Sequence, residues 1–123
     1  ELCALDFPSM RQIDTFEIDG PTTYIATRQS NNLVTILSFD TSLLVEGPCQ
    51  ITAGSLTTLT TYPGFTHSLT RISDTLLGAY GSNGQVTHIN KVDGTQTSVG
   101  TFTGSAGVIF SYYPGLQPPP PIY

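Results

Sequence analysis

The sequence predicts an all-β fold of two tandem four-stranded antiparallel units, an extra N-terminal strand and a proline-rich C-terminal tail. Three observations carry this expectation. The first is composition: 30 of 123 residues are Thr or Ser, Gly and Pro number 12 and 9, and charged residues make up only 11 %. About 25 % is usual for charge in soluble domains, and Thr, being β-branched, suits a half-exposed strand. The second is an internal repeat. Thr23 to Thr35 (TYIATRQSNNLVT) matches Thr75 to Thr87 (TLLGAYGSNGQVT) at an offset of 52 residues, with Thr23/Thr75, Ser30/Ser82, Asn31/Asn83, Val34/Val86 and Thr35/Thr87 identical. The third is an aromatic-Pro-small-apolar element that occurs as Phe7-Pro8-Ser9-Met10, Tyr62-Pro63-Gly64-Phe65 and Tyr113-Pro114-Gly115-Leu116. Pro removes a backbone donor and fixes φ, so each copy is read as marking the end of one repeated strand.

Each element follows from local chemistry. Glu1 to Asp6 precedes the first aromatic-Pro copy and is read as a last-strand element without a full unit before it. It either completes a sheet away from its own unit, in the second unit or in a neighbouring chain, or it lies beside its own unit tethered by a Cys3–Cys49 bridge. In the first repeat, Ser30-Asn31-Asn32 is a hairpin turn between strands at Tyr24 to Arg28 and Leu33 to Phe39. Further strands are expected at Leu43 to Val45 and Gln50 to Thr52, separated by the Gly47-Pro48 break. In the second repeat, Ser82-Asn83-Gly84 joins Leu76 to Tyr80 with Gln85 to Val92, and Asn-Gly tolerates the positive φ of tight hairpins. Val92-Asp93-Gly94-Thr95 makes the next turn, before Thr97 to Phe102. The organisation expected is one all-β domain over residues 1–116, with repeats of about 7–61 and 62–112 after the strand at 1–6, and a polyproline II tail at 117–123.

The stretch from Thr75-Leu76-Leu77-Gly78 through Ser82-Asn83-Gly84, His88-Ile89 and Asp93-Gly94-Thr95 to Val99-Gly100 resembles the blades of secreted β-propellers. The resemblance covers most of both repeats and implies four antiparallel strands per unit. It lacks the tryptophan-aspartate signature of WD40 blades and the double glycine of kelch blades. Closed propellers hold four to eight blades, so two such units leave open edges and faces. Either several chains assemble, or the two sheets pack face to face as a sandwich.

Composition also excludes functions. No apolar run approaches the roughly 20 residues that span a bilayer as a helix. Four basic residues and a net charge of −5 argue against a nucleic-acid partner. His67 and His88 form no metal-ligand spacing, and no nucleophile elbow, phosphate loop or singled-out carboxylate pair is present. The expectation is therefore a protein that is not an enzyme and holds no cofactor or metal. Asn-x-Ser/Thr sequons are absent, while Thr57-Thr58, Thr60-Thr61 and Thr95 to Thr103 offer sites for O-linked glycans.

Two cysteines, Cys3 and Cys49, fit one disulfide in an oxidising compartment, and Glu1 reads as a processed N-terminus. Localisation is expected to be extracellular or at the cell surface. The leading functional expectation is a structural protomer that self-assembles into a filament or surface layer. Its assembly residues are Leu2, Cys3, Ala4 and Leu5 of the N-terminal strand, Tyr112 and Tyr113, and the tail Pro118, Pro119, Pro120, Pro121, Ile122 and Tyr123. The tail also matches a short proline-tyrosine ligand of WW domains. The alternative is an oligomeric propeller-type carbohydrate-binding module, with sugar sites in the inter-unit clefts near Tyr62, Tyr80 and Tyr112.

Overall fold

A computed structural model describes residues 3–5, 12–29, 32–45, 49–64, 66–81 and 84–101. Among these the regular structure is almost all strand, without an α-helix. The first sheet is an up-and-down antiparallel arrangement of β2 (Gln12–Asp19), β3 (Thr22–Arg28), β4 (Leu33–Asp40) and β6 (Thr57–Pro63), in that order. The second repeats it with β7 (Thr66–Arg71), β8 (Leu76–Gly81), β9 (Gln85–Asn90) and β10 (Gln96–Thr101). A third, two-stranded ribbon pairs β1 (Cys3–Leu5) in parallel with β5 (Cys49–Ile51). The two four-stranded antiparallel units match the expectation.

The central hairpins are equivalent at the offset read from sequence. Arg28 pairs with Val34 in one, and Tyr80 with Val86 in the other. Asn32 (φ 58°) and Gly84 (φ 74°) occupy the same turn position and supply the left-handed residue it needs. The aromatic-Pro element at Tyr62-Pro63 ends β6, as Pro chemistry dictates. The copies at Phe7-Pro8 and Tyr113-Pro114 lie outside the described residues, as does the tail.

Three expected strand positions are corrected. Leu43 to Val45 is not a strand. The Asp40 carboxylate accepts a hydrogen bond from the Ser42 amide, and the chain turns into a short 3-10 segment at Thr41–Leu43. The strand at Gln50 to Thr52 falls one residue earlier, as β5, and leaves the first sheet to pair with β1. The fourth strand of that sheet is β6. The strand expected to run to Val92 stops at Asn90, whose side-chain oxygen accepts the amides of Val92 and Asp93 and bends the chain.

The two sheets pack face to face. Tyr24, Ala26, Val34 and Ile36 of the first meet Leu69, Leu77, Ala79 and Ile89 of the second in the main core. The opposite face of the first sheet carries a second cluster of Ile25, Leu37 and Phe39, covered by Ile51 with Leu5 and Leu56. β3 is therefore buried on both faces, and its buried threonines Thr23 and Thr27 are satisfied internally. Thr27 Oγ1 donates to the Thr35 carbonyl at 3.0 Å, and Thr23 shares a 2.9 Å hydroxyl contact with Thr41. The ribbon thus lies over the first sheet, the placement beside its own unit.

Candidate functional site

The seam between the sheets combines an apolar centre with polar margins. Along β2, Thr15, Glu17 and Asp19 share register positions with Ala26, Tyr24 and Thr22 and so face the second sheet. Glu17 accepts the Arg71 amide at 3.0 Å, Asp19 pairs with Arg71 Nε at 3.1 Å, and Lys91 Nζ donates to the same Asp19 carboxylate and to the Ser73 carbonyl. Arg71 also reaches Asp74. Asp14 stands 3.4 Å from Arg28 Nε, close enough for an ion pair though not aligned as a hydrogen bond. At the far margin Gln96 donates to Thr60 Oγ1 at 2.7 Å and to the Thr61 carbonyl at 3.1 Å, tying β10 to β6.

The β9–β10 turn rests directly on β6. Gly94 has φ +75°, and a methyl group there would stand 2.1 Å from the Leu59 carbonyl oxygen. The turn is built from its own side chains: Asp93 accepts the Thr95 amide at 2.9 Å, which holds its carboxyl below the usual range. The Ser42 amide does the same for Asp40. Burial pushes the Tyr62 phenol up, with the Thr66 hydroxyl opposing and Asp14 adding to the rise. Burial, then the Asp19 charge, raises Tyr24 in the same way.

A cleft of about 200 Å³ opens at this seam between Tyr62 and Pro63 on one side and Ala79, Gly81, Gln85 and Gln96 on the other. Small-ligand sites typically enclose about 300–1,000 Å³. Tyr62 lines the cleft, whereas Tyr80 pairs with Val86 and lies on the opposite face of the second sheet, buried at 5 % exposure. Tyr112 is outside the described residues.

Among the expected assembly residues, Cys3, Ala4 and Leu5 stand opposite Cys49, Gln50 and Ile51. Ala4 is exposed and Leu5 packs on the second cluster. Leu2, Tyr113 and the tail from Pro118 to Tyr123 lie outside the described residues. His88 is a half-buried strand residue opposite Gly78 and Thr97. No helix among the described residues is long and apolar enough to cross a membrane.

One surface was not anticipated from sequence. Ile13, Phe16 and Ile18 of β2 are 46 %, 58 % and 51 % exposed and point away from the second sheet. Thr15-Phe16-Glu17-Ile18-Asp19 alternates apolar with polar, and the bulge between Ile13 and Thr15 brings Ile13 onto the side of Phe16 and Ile18, which plain alternation would not. Comparison with protein-family models, curated proteins and solved structures finds no match.

Proposed function

We propose that this chain is an extracellular structural protomer, built of two propeller-blade-like units, that self-assembles into a filament or surface layer. The observation that carries the reading is the stacking of two equivalent four-stranded sheets with apolar side chains left exposed on an outer face. Stacked repeats bury a continuous core only where a neighbour follows, and terminal faces otherwise need a polar cover. Ile13, Phe16 and Ile18 do not provide one. The edge strand β10 adds support. It is exposed along its whole length and carries neither charge nor Pro, the usual guards against edge pairing.

The reading includes a Cys3–Cys49 disulfide, O-linked glycans on exposed Thr clusters, and contacts through the strand edges, the N-terminal strand and the proline tail. It requires no cofactor and no catalytic residue. The disulfide is supported by register, since directly opposed residues on neighbouring strands fall within the Cα spacing a bridge needs. Negative-stain imaging tests the reading: fibres or sheets are expected. Compact closed rings would instead favour the oligomeric carbohydrate-binding alternative, for which Tyr62 in the inter-sheet cleft is the supporting observation.

A further inference from the structure

We infer that the cleft beside Tyr62 is a binding site for one neutral sugar ring, a single pyranose of a glycan chain. Such a site goes beyond the protomer reading and needs no second copy. The inner face of the second sheet supplies its floor. Leu77 pairs with Ile89, and both lie in the main core. Two residues along the same strands, Ala79 pairs with Thr87, which pairs in turn with Ser98. Opposed residues, and residues two apart on one strand, share a face. The inner face therefore changes from apolar to polar toward Gly81 and Gln85. Gln96, opposite Ile89, lies on this face too. Thr87 is half-buried, while Gln85, Gln96 and Ser98 are exposed. Across from them stand Tyr62 and Pro63 at the end of β6.

The hydrogen-bonding groups at this cleft select the ligand. Gln96 turns its amide nitrogen to Thr60 Oγ1 and to the Thr61 carbonyl. A carbonyl only accepts, so the amide orientation is fixed and Gln96 Oε1 is left as an acceptor. The Gln85 amide donates to Ser98 Oγ at 3.3 Å and likewise keeps an acceptor oxygen. Thr87 adds a hydroxyl that can both donate and accept. This set calls for a partner that donates as well as accepts. A sugar hydroxyl does both. A proline run has no backbone N–H and supplies acceptors only, so Pro118 to Pro121 is the poorer fit.

Charge, shape and size agree. Among the described residues no charged side chain lines the cleft, so a ligand carboxylate or phosphate would enter without a counter-ion. The Tyr62 hydroxyl is engaged with Thr66, which leaves its ring, beside Pro63, as an apolar wall for the C–H groups of a pyranose. Ala79 and Gly81 keep the floor free of bulk. About 200 Å³ is less than a whole drug-sized ligand needs and suits one ring, with the rest of the glycan running out to solvent.

Proton–nitrogen correlation spectra of the full chain test the site by following the side-chain amides of Gln85 and Gln96. The probes are the methyl pyranosides of glucose, galactose, mannose and N-acetylglucosamine. At least one should move both resonances saturably, with a dissociation constant of about 1 mM, as one small ring in an open cleft supports. Gln85→Ala and Thr87→Val each remove a hydrogen-bonding group and should each weaken binding at least about fivefold. Unchanged backbone resonances away from the cleft show that both variants are folded. The absence of saturable shifts up to about 100 mM sugar overturns the inference. Binding that both variants leave unchanged also overturns it, because the sugar then sits elsewhere. A stronger response to glucuronate, or to a peptide of the Gln117–Tyr123 sequence, overturns it in favour of an anion or of the tail. Sugar binding by a chain that stays monomeric keeps this site and removes the protomer reading; assembly without sugar binding does the reverse.

Discussion

Gly94 offers a sharp test of how the sheets are held. In the β9–β10 turn it adopts φ +75°, and its Cα faces the backbone of β6. Gly94→Ala introduces two costs. An L-residue in the left-handed region costs roughly 1–2 kcal/mol. The added Cβ would stand 2.1 Å from the Leu59 carbonyl oxygen, more than an ångström inside ordinary contact, with backbone on both sides. Relief requires the turn to lift from β6, which strains the Gln96 hydrogen bonds to Thr60 and Thr61, each contributing about 1 kcal/mol. The total is about 3–4 kcal/mol, a large share of the 5–15 kcal/mol typical of a domain. Gly20→Ala is the control. It has φ +59° but nothing within 4 Å of the new methyl, so only the conformational cost of roughly 1–2 kcal/mol is expected. Urea unfolding followed by circular dichroism measures both. Equal losses for the two variants would refute the close inter-sheet approach.

Other consequences follow from the same packing. Ile36 is fully buried between the sheets, and Ile36→Ala should cost about 2–5 kcal/mol in urea unfolding. Asp19 holds Arg71 and Lys91 at the seam, so Asp19→Asn takes the shared carboxylate from both cations, of which Arg71 keeps Asp74. A loss of about 2–4 kcal/mol is expected, reduced only partly by high salt. Asp40 and Asp93 have lowered folded pKa values, so their stabilisation is present above the unfolded carboxylate range and is lost as pH falls through the folded values. Unfolding measured from pH 6 to pH 2 should show part of the acid loss removed in the double Asn variant, since Asn keeps the acceptor oxygen without titrating. If Cys3 and Cys49 are bridged, reduction should cost about 4 kcal/mol in the chain-entropy model. Unchanged stability in reductant would remove the bridge.

The hairpins were legible because their determinants are local. Asn32 and Gly84 supply positive φ at equivalent places, and the alternation around them is short-range. The β1–β5 ribbon was legible only as one of two placements for the N-terminal strand, because three-residue parallel strands separated by more than forty residues leave no periodic trace beyond two cysteines. Leu43 to Val45 misled for another reason. Apolar side chains resembled a strand, but the Asp40 cap governs the backbone there. β7 brings Leu69 to the core cluster beside the buried polar Thr66 and Thr70, so its sequence carries little apolar alternation. The β2 stripe alternates only from Thr15 to Asp19 and gains Ile13 through a bulge that the sequence does not announce, and its apolar side turns away from the core.

The central proposal is that two stacked four-stranded sheets form a protomer that assembles with other copies. Light scattering on the purified chain under oxidising conditions, from dilute to concentrated solution, measures this directly. The account predicts a mass that rises with concentration well above the 13.2 kDa of one chain. A monodisperse monomer across the whole range would contradict it.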